Sequence, residues 1–142
     1  MTLPRTLPIR NITAADFKKY GTVLEHTRTD VEYEPIVTVA SRGWIWAMLT
    51  FDWKSIKSIQ NHPTSKESFE PVFGTTVLVV APKGAPEQLQ AFLLDVPVLL
   101  DEGVWHQVLA LSATARVKIT ENNDVTSENL TLDTPLTVQM VS

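Results

Sequence analysis

No cysteine occurs in this 142-residue chain. Disulfides and thiolate metal sites are therefore excluded, and any metal must be held by nitrogen and oxygen donors. Basic residues are also few, 12 Lys and Arg against 16 Asp and Glu, and they form no cluster. A net charge of −4 without a basic patch argues against a nucleic-acid partner, because neutralising phosphates needs concentrated positive surface. Long apolar runs are missing too. Every run falls well short of the roughly 20 residues of a membrane helix, so no membrane partner is expected. The opening "MTLPRTLPIRNIT" lacks the central apolar stretch of a secretory leader, and the expected location is cytoplasmic. The sequons at Asn11 and Asn129 should then be idle.

What is present suits an ordinary core: 44% hydrophobic and 20% charged residues. That length and composition fit one domain over residues 1–142, with no repeat, low-complexity run or linker. "TAADFKKYG" reads as a helix of about two turns, with Thr13 as N-cap, Asp16 as the capping-box acid and Gly21 as the stop. Beyond it the pattern is strand. "PIVTVA", "GWIWAMLTF", "KSIKSIQNH", "SFEPVF", "TTVLVVAP", "LQAFLL", "GVWHQVLAL" and "ARVKIT" are short β-branched or alternating segments separated by turn residues. "NLTLDTPLTVQMV" is read as an added strand or a docked tail. The spacing predicts a mainly β antiparallel sandwich or barrel.

Strand parity decides which side chains share a face. Gln60 and His62 point the same way in "SIKSIQNH". In "GVWHQVLAL", His106 shares a row with Val104, Val108 and Ala110, which should face the interior. A histidine there must be hydrogen-bonded, bound to a metal or lining a cavity. His62 precedes Pro63, which favours extended backbone, and a turn histidine bonded to the main chain is the plainer alternative. Glu67 stands among charged residues and in isolation reads as solvated, just as Trp44, Trp46 and Trp105 read as core aromatics. Lys83 and Gly84 make a turn, and His26 lies in a polar loop with no assigned role.

The spacing Gln60-x-His62, four residues, Glu67, six residues, Gly74 resembles the first motif of the cupin superfamily, with glutamine in place of the first histidine. Gly103-x-x-His106 resembles the second. The ordered set "ITAADFKKYGTVLE", "NHPTSKESFEP", "TTVLVVAP", "LQAFLL" and "GVWH", over residues 12 to 120, is similar to the ureidoglycolate lyase family. The resemblance implies a small cupin-type antiparallel β-barrel or jelly roll with a short N-terminal helix. It also implies a homodimer and a lyase that eliminates urea from ureidoglycolate to leave glyoxylate. A base takes the hydroxyl proton and an acid protonates the departing nitrogen; His62, Glu67 and His106 are the candidates. Departures from the family pattern occur at Gln60, Glu67, Gln107 and Val108.

Two histidines and a carboxylate are also the composition of a facial metal triad. With the Gln60 carbonyl oxygen, the set Gln60, His62, Glu67 and His106 would suit a divalent Mn, Fe, Ni or Zn ion. Arg42, Trp44, Trp46 and Gln107 are the candidate contacts to a small-molecule substrate, Arg42 as the nearest cation and the two tryptophans as apolar walls. Two other functions fit the same cavity. One is a divergent metal-dependent cupin, a dehydratase, isomerase or oxygenase acting on an aromatic or secondary metabolite. The other is a barrel that binds a small ligand without catalysis. The apolar "IVTVA" and "WIWAML" segments offer edge or face surface that a monomer rarely exposes, which also predicts a homodimer.

Overall fold

Eleven strands and one short helix make up the computed structural model, which describes residues 5–140. The start of the segment read for a leader, and the last residue of the C-terminal segment, lie outside the described residues. The chain runs β1 (Arg5–Asn11), α1 (Ala14–Phe17), β2 (Gly21–Val23), β3 (Trp44–Phe51), β4 (Ile56–Asn61) and β5 (Glu67–Phe73). It continues through β6 (Thr76–Ala81), β7 (Gln90–Leu94), β8 (Val98–Leu100), β9 (Trp105–Ala110), β10 (Ala115–Asn122) and β11 (Glu128–Gln139). The fold is mainly β, with a closed six-stranded barrel and a short N-terminal helix, as the sequence predicts. Among the described residues no helix is long and apolar enough to cross a membrane.

Six strands close into a barrel in the order β1-β11-β4-β9-β6-β7, and five form a second sheet in the order β2-β8-β5-β10-β3. Pairing is antiparallel except at β1, which runs parallel to both β11 and β7 and closes the barrel between them. Two apolar cores result. One fills the space between the sheets, with Phe17, Tyr20, Phe69, Leu78, Val108 and Val117 among its members. The other, including Leu7, Ile59, Val77, Val79, Leu109 and Leu136, fills the barrel. Strand β6 serves both, so all six of its residues are buried and "TVLVVA" shows no polar alternation.

Several expectations are corrected here. Thr13 does cap α1, its Oγ accepting from the Asp16 amide at 3.0 Å, but the helix is four residues long. Gly21 is the first residue of β2 rather than a helix stop; a Cβ there would collide with the backbone of Leu99 on the neighbouring β8. "PIVTVA" forms no strand. Its partner-free alternation satisfies β propensity without supplying a ladder. Strands β1, β2 and β8 have weak sequence signals, β2 and β8 because they are three residues long. The C-terminal segment is a strand of the barrel, paired to β1 and β4.

Candidate metal centre

The site is built from two rungs, one on each sheet. In the five-stranded sheet, Glu67 on β5 lies directly opposite Glu121 on β10, and Glu121 is opposite Ile45 on β3. Residues opposite one another share a face, and this face is the inner one. Ala115, Val117 and Ile119 precede Glu121 in the same alternating row and are buried in the core between the sheets. From the barrel, His106 on β9 stands opposite Gln60 on β4, the single register pair between those strands. His62 follows β4 by one residue.

The turn before β9 locks the two histidines together. Gly103 has φ +79°, a conformation that favours glycine. Its amide donates to the His62 carbonyl at 2.9 Å, and its own carbonyl accepts from Asn61 Nδ2 at 3.3 Å. Each imidazole is then fixed by its Nδ1: that of His62 lies 3.0 Å from the Thr126 carbonyl oxygen, and that of His106 3.1 Å from the Val104 carbonyl oxygen. A carbonyl oxygen can only accept, so the proton is assigned to Nδ1 in both rings. Ser127 Oγ adds a contact to His62 Nδ1 at 3.1 Å.

That assignment leaves both Nε2 atoms as bare acceptors facing carboxylates. Glu67 Oε1 is 2.8 Å from His106 Nε2 and 3.2 Å from His62 Nε2, and Glu121 Oε2 is 3.5 Å from His62 Nε2. All four atoms are buried, yet none makes a hydrogen bond. Ligand atoms of His62, Glu67 and His106 all lie within 4.8 Å of one another. The three residues are 6%, 4% and 3% exposed. Phe69 packs edge-on against the His106 ring at 5.4 Å. Lone pairs aimed at lone pairs in a dry interior repel, so the arrangement calls for a positive species between them, either protons or a metal ion.

The ionisation equilibria reflect the same crowding. Burial works to raise the Glu67 carboxyl, but the two imidazoles, His106 foremost, outweigh it and hold the group at about 2. Glu121 moves the other way: burial, and then the Glu67 carboxylate beside it, lift it to about 7. Burial works to lower the His62 imidazole, but Glu67, with the Thr126 carbonyl and Glu121, leaves it raised.

His62, Glu67 and His106 are therefore brought together, and Gln60 shares the His106 face, half-buried. The four expected substrate contacts are not. Trp44 and Trp46 are 59% and 69% exposed on the outer face of β3, because the inner row of that strand is Ile45, Ala47, Leu49 and Phe51. Gln107 points to the opposite side of β9 from His106, its Oε1 accepting from the Val108 amide at 3.0 Å. Arg42 is exposed, lining a surface depression with Ala40, Ser41, Asn122 and Asp124. Glu121 is the residue sequence reasoning missed. Its signal was present in "ARVKITEN", where an inward apolar row ends on an acid.

No protein-family profile and no curated protein sequence matches the chain. Among solved structures, Bacillus subtilis oxalate decarboxylase, a protein described for its Mn(II) centres, is similar at 15% identity and a TM-score of 0.49. The match covers 78% of this chain, and the chain spans 35% of that protein.

Proposed function

We propose that this chain is a metal-dependent cupin-type enzyme whose buried His62, Glu67 and His106 hold one divalent ion for elimination chemistry on a small polar molecule. The observation that carries the reading is the convergence of three buried ligand atoms, none hydrogen-bonded, while both imidazoles are anchored through Nδ1 to backbone carbonyls. That anchoring is how metal-ligating histidines are oriented. His62 Nε2, His106 Nε2 and Glu67 Oε1 would hold the ion, and Mn, Fe, Ni and Zn all accept such a nitrogen and oxygen set. A divalent ion bound there supplies a Lewis acid that acidifies a coordinated oxygen. The chain's own part is to exclude bulk water beyond the few molecules the ion itself would hold, to fix both tautomers and to keep Glu67 ionised.

The finer reading, urea elimination from ureidoglycolate, is supported by the ordered motifs and by a His and Glu pair suited to proton transfer. With Arg42 on the surface rather than beside the triad, the substrate carboxylate has no arginine in the site, and its turnover should be slow. A second reading, a barrel that holds metal without catalysis, is favoured by the near-complete burial of the triad. Metal analysis of the purified protein tests the common core of both. About one divalent ion per chain, lost in His106→Ala, is expected. Urea and glyoxylate release by the loaded protein then separates the lyase from the silent barrel. Metal content unchanged by His106→Ala would overturn the assignment.

A further inference from the structure

We infer that Glu121 is a fourth protein ligand, completing a donor set of two imidazoles and two carboxylates; this rests on the metal reading above. Glu121 comes from β10, well after both motif segments, and its Oε2 is buried without a hydrogen-bond partner, 3.5 Å from His62 Nε2. The strand register holds its side chain directly opposite that of Glu67. Like charges opposite one another across a ladder repel, the more so out of water. The nearby lysines do not relieve this. Lys118 pairs with Glu70, and Lys66 pairs with Asp101 and Glu102.

Neutral imidazoles and two carboxylates together carry a charge that a dication cancels. A trication or a monovalent ion leaves a buried imbalance, and an all-oxygen ion such as Mg²⁺ makes poor use of two nitrogens. Glu121 therefore sets the charge of the ion the site selects. It also occupies one position that would otherwise be open to water, leaving two of about six for a six-coordinate ion.

Titration of the full-length protein with Mn²⁺, read both as affinity and as water-proton relaxation, tests this. Glu121→Ala is expected to bind Mn²⁺ about 10- to 100-fold more weakly. The relaxivity of the Mn²⁺ it still binds should rise about 1.5-fold, as exchangeable positions go from two to three. Glu121→Gln, which keeps the shape, should lose affinity with little change in relaxivity, and guards against an alanine variant that fails to fold. Glu70→Gln, on the outer face and paired with Lys118, should change neither. Wild-type affinity and relaxivity in Glu121→Ala would overturn the inference while leaving the His62, Glu67 and His106 site intact. Failure of the wild-type protein itself to bind Mn²⁺, Zn²⁺ or Ni²⁺ would overturn the underlying reading, and this inference with it.

Discussion

An imidazole has two nitrogens, and at His62 and His106 the main chain claims one of each. Everything at the site follows from what the other nitrogens meet. Without metal, protons held on Glu121 and His62 relieve the crowding, and the stability of the metal-free protein should depend on pH accordingly. Glu121 is raised from 4.5 to about 7, so its contribution is fully present below 4.5 and is lost as pH rises through about 7. His62, raised above 6.5, likewise contributes below 6.5 and loses that contribution at higher pH. Glu67, lowered from 4.5 to about 2, contributes above 4.5 and fades only towards pH 2. Chelator-treated protein should therefore melt highest between pH 4.5 and 6.5 and lower at about pH 8, whereas a divalent ion, competing with those protons, should stabilise most at the alkaline end. Thermal scans across pH, with and without Mn²⁺, check the crossover. At neutral pH and a hundredfold excess over Kd, metal should add about 2.7 kcal/mol, on the order of 10 °C in Tm. In His106→Ala that metal-dependent increment should vanish.

Elements rather than single residues decide whether these groups meet. Gly103 and Gly74 both have positive φ, and they offer a comparison. At Gly74 a Cβ would run into the Thr114 carbonyl oxygen and lie 2.5 Å from Ser112 Oγ, whereas at Gly103 it would meet the flexible end of Lys83 at 2.9 Å. Gly74→Ala should lower stability by roughly 1 to 3 kcal/mol and leave metal affinity alone. Gly103→Ala should cost less stability yet weaken metal binding, because a Cβ strains the φ of +79° and shifts the amide that holds the His62 carbonyl in place. Calorimetric titration beside thermal melts separates the two, and equal effects of both variants on affinity would sink this account. The same elements explain what the sequence made legible. Alternation along "GVWHQVLAL" placed His106 inward, and motif spacing brought Glu67 to it although its charged neighbours read as solvent. Trp44 and Trp46 were misjudged because parity is relative: it groups them together without saying which face is buried. That face is fixed by the pairing of β3 with β10, a contact distant in sequence. Glu121 escaped for the same reason, since only the register with β5 shows what it faces.

At the scale of the whole molecule, the five-stranded sheet ends on two margins, the three-residue β2 and the eight-residue β3. Strand β3 is the longer edge of that sheet, and its outer row carries Trp44, Trp46 and Met48, the last 57% exposed. The tryptophan rings lie 5.9 Å apart, and Lys118 Nζ sits 5.9 Å from the Trp46 ring centroid, so the face is apolar with a cationic border. A lone exposed tryptophan is ordinary; two beside a methionine on a free eight-residue edge strand form a surface that soluble proteins usually cover. A second copy of the chain is the expected partner, because a two-fold axis through an antiparallel β3 pair would satisfy both backbone edges and set the two outer rows side by side, ring against ring. Sedimentation velocity at micromolar concentration should then give a dimer. Trp46→Lys, which puts a charge in the middle of that row, should give a monomer. The proposed metal site lies on the inner face of the same sheet, built from β5 and β10 with β4 and β9. Metal affinity should accordingly survive dissociation within a few fold, and a wild-type monomer, or a Trp46→Lys dimer, would show that the edge is left free.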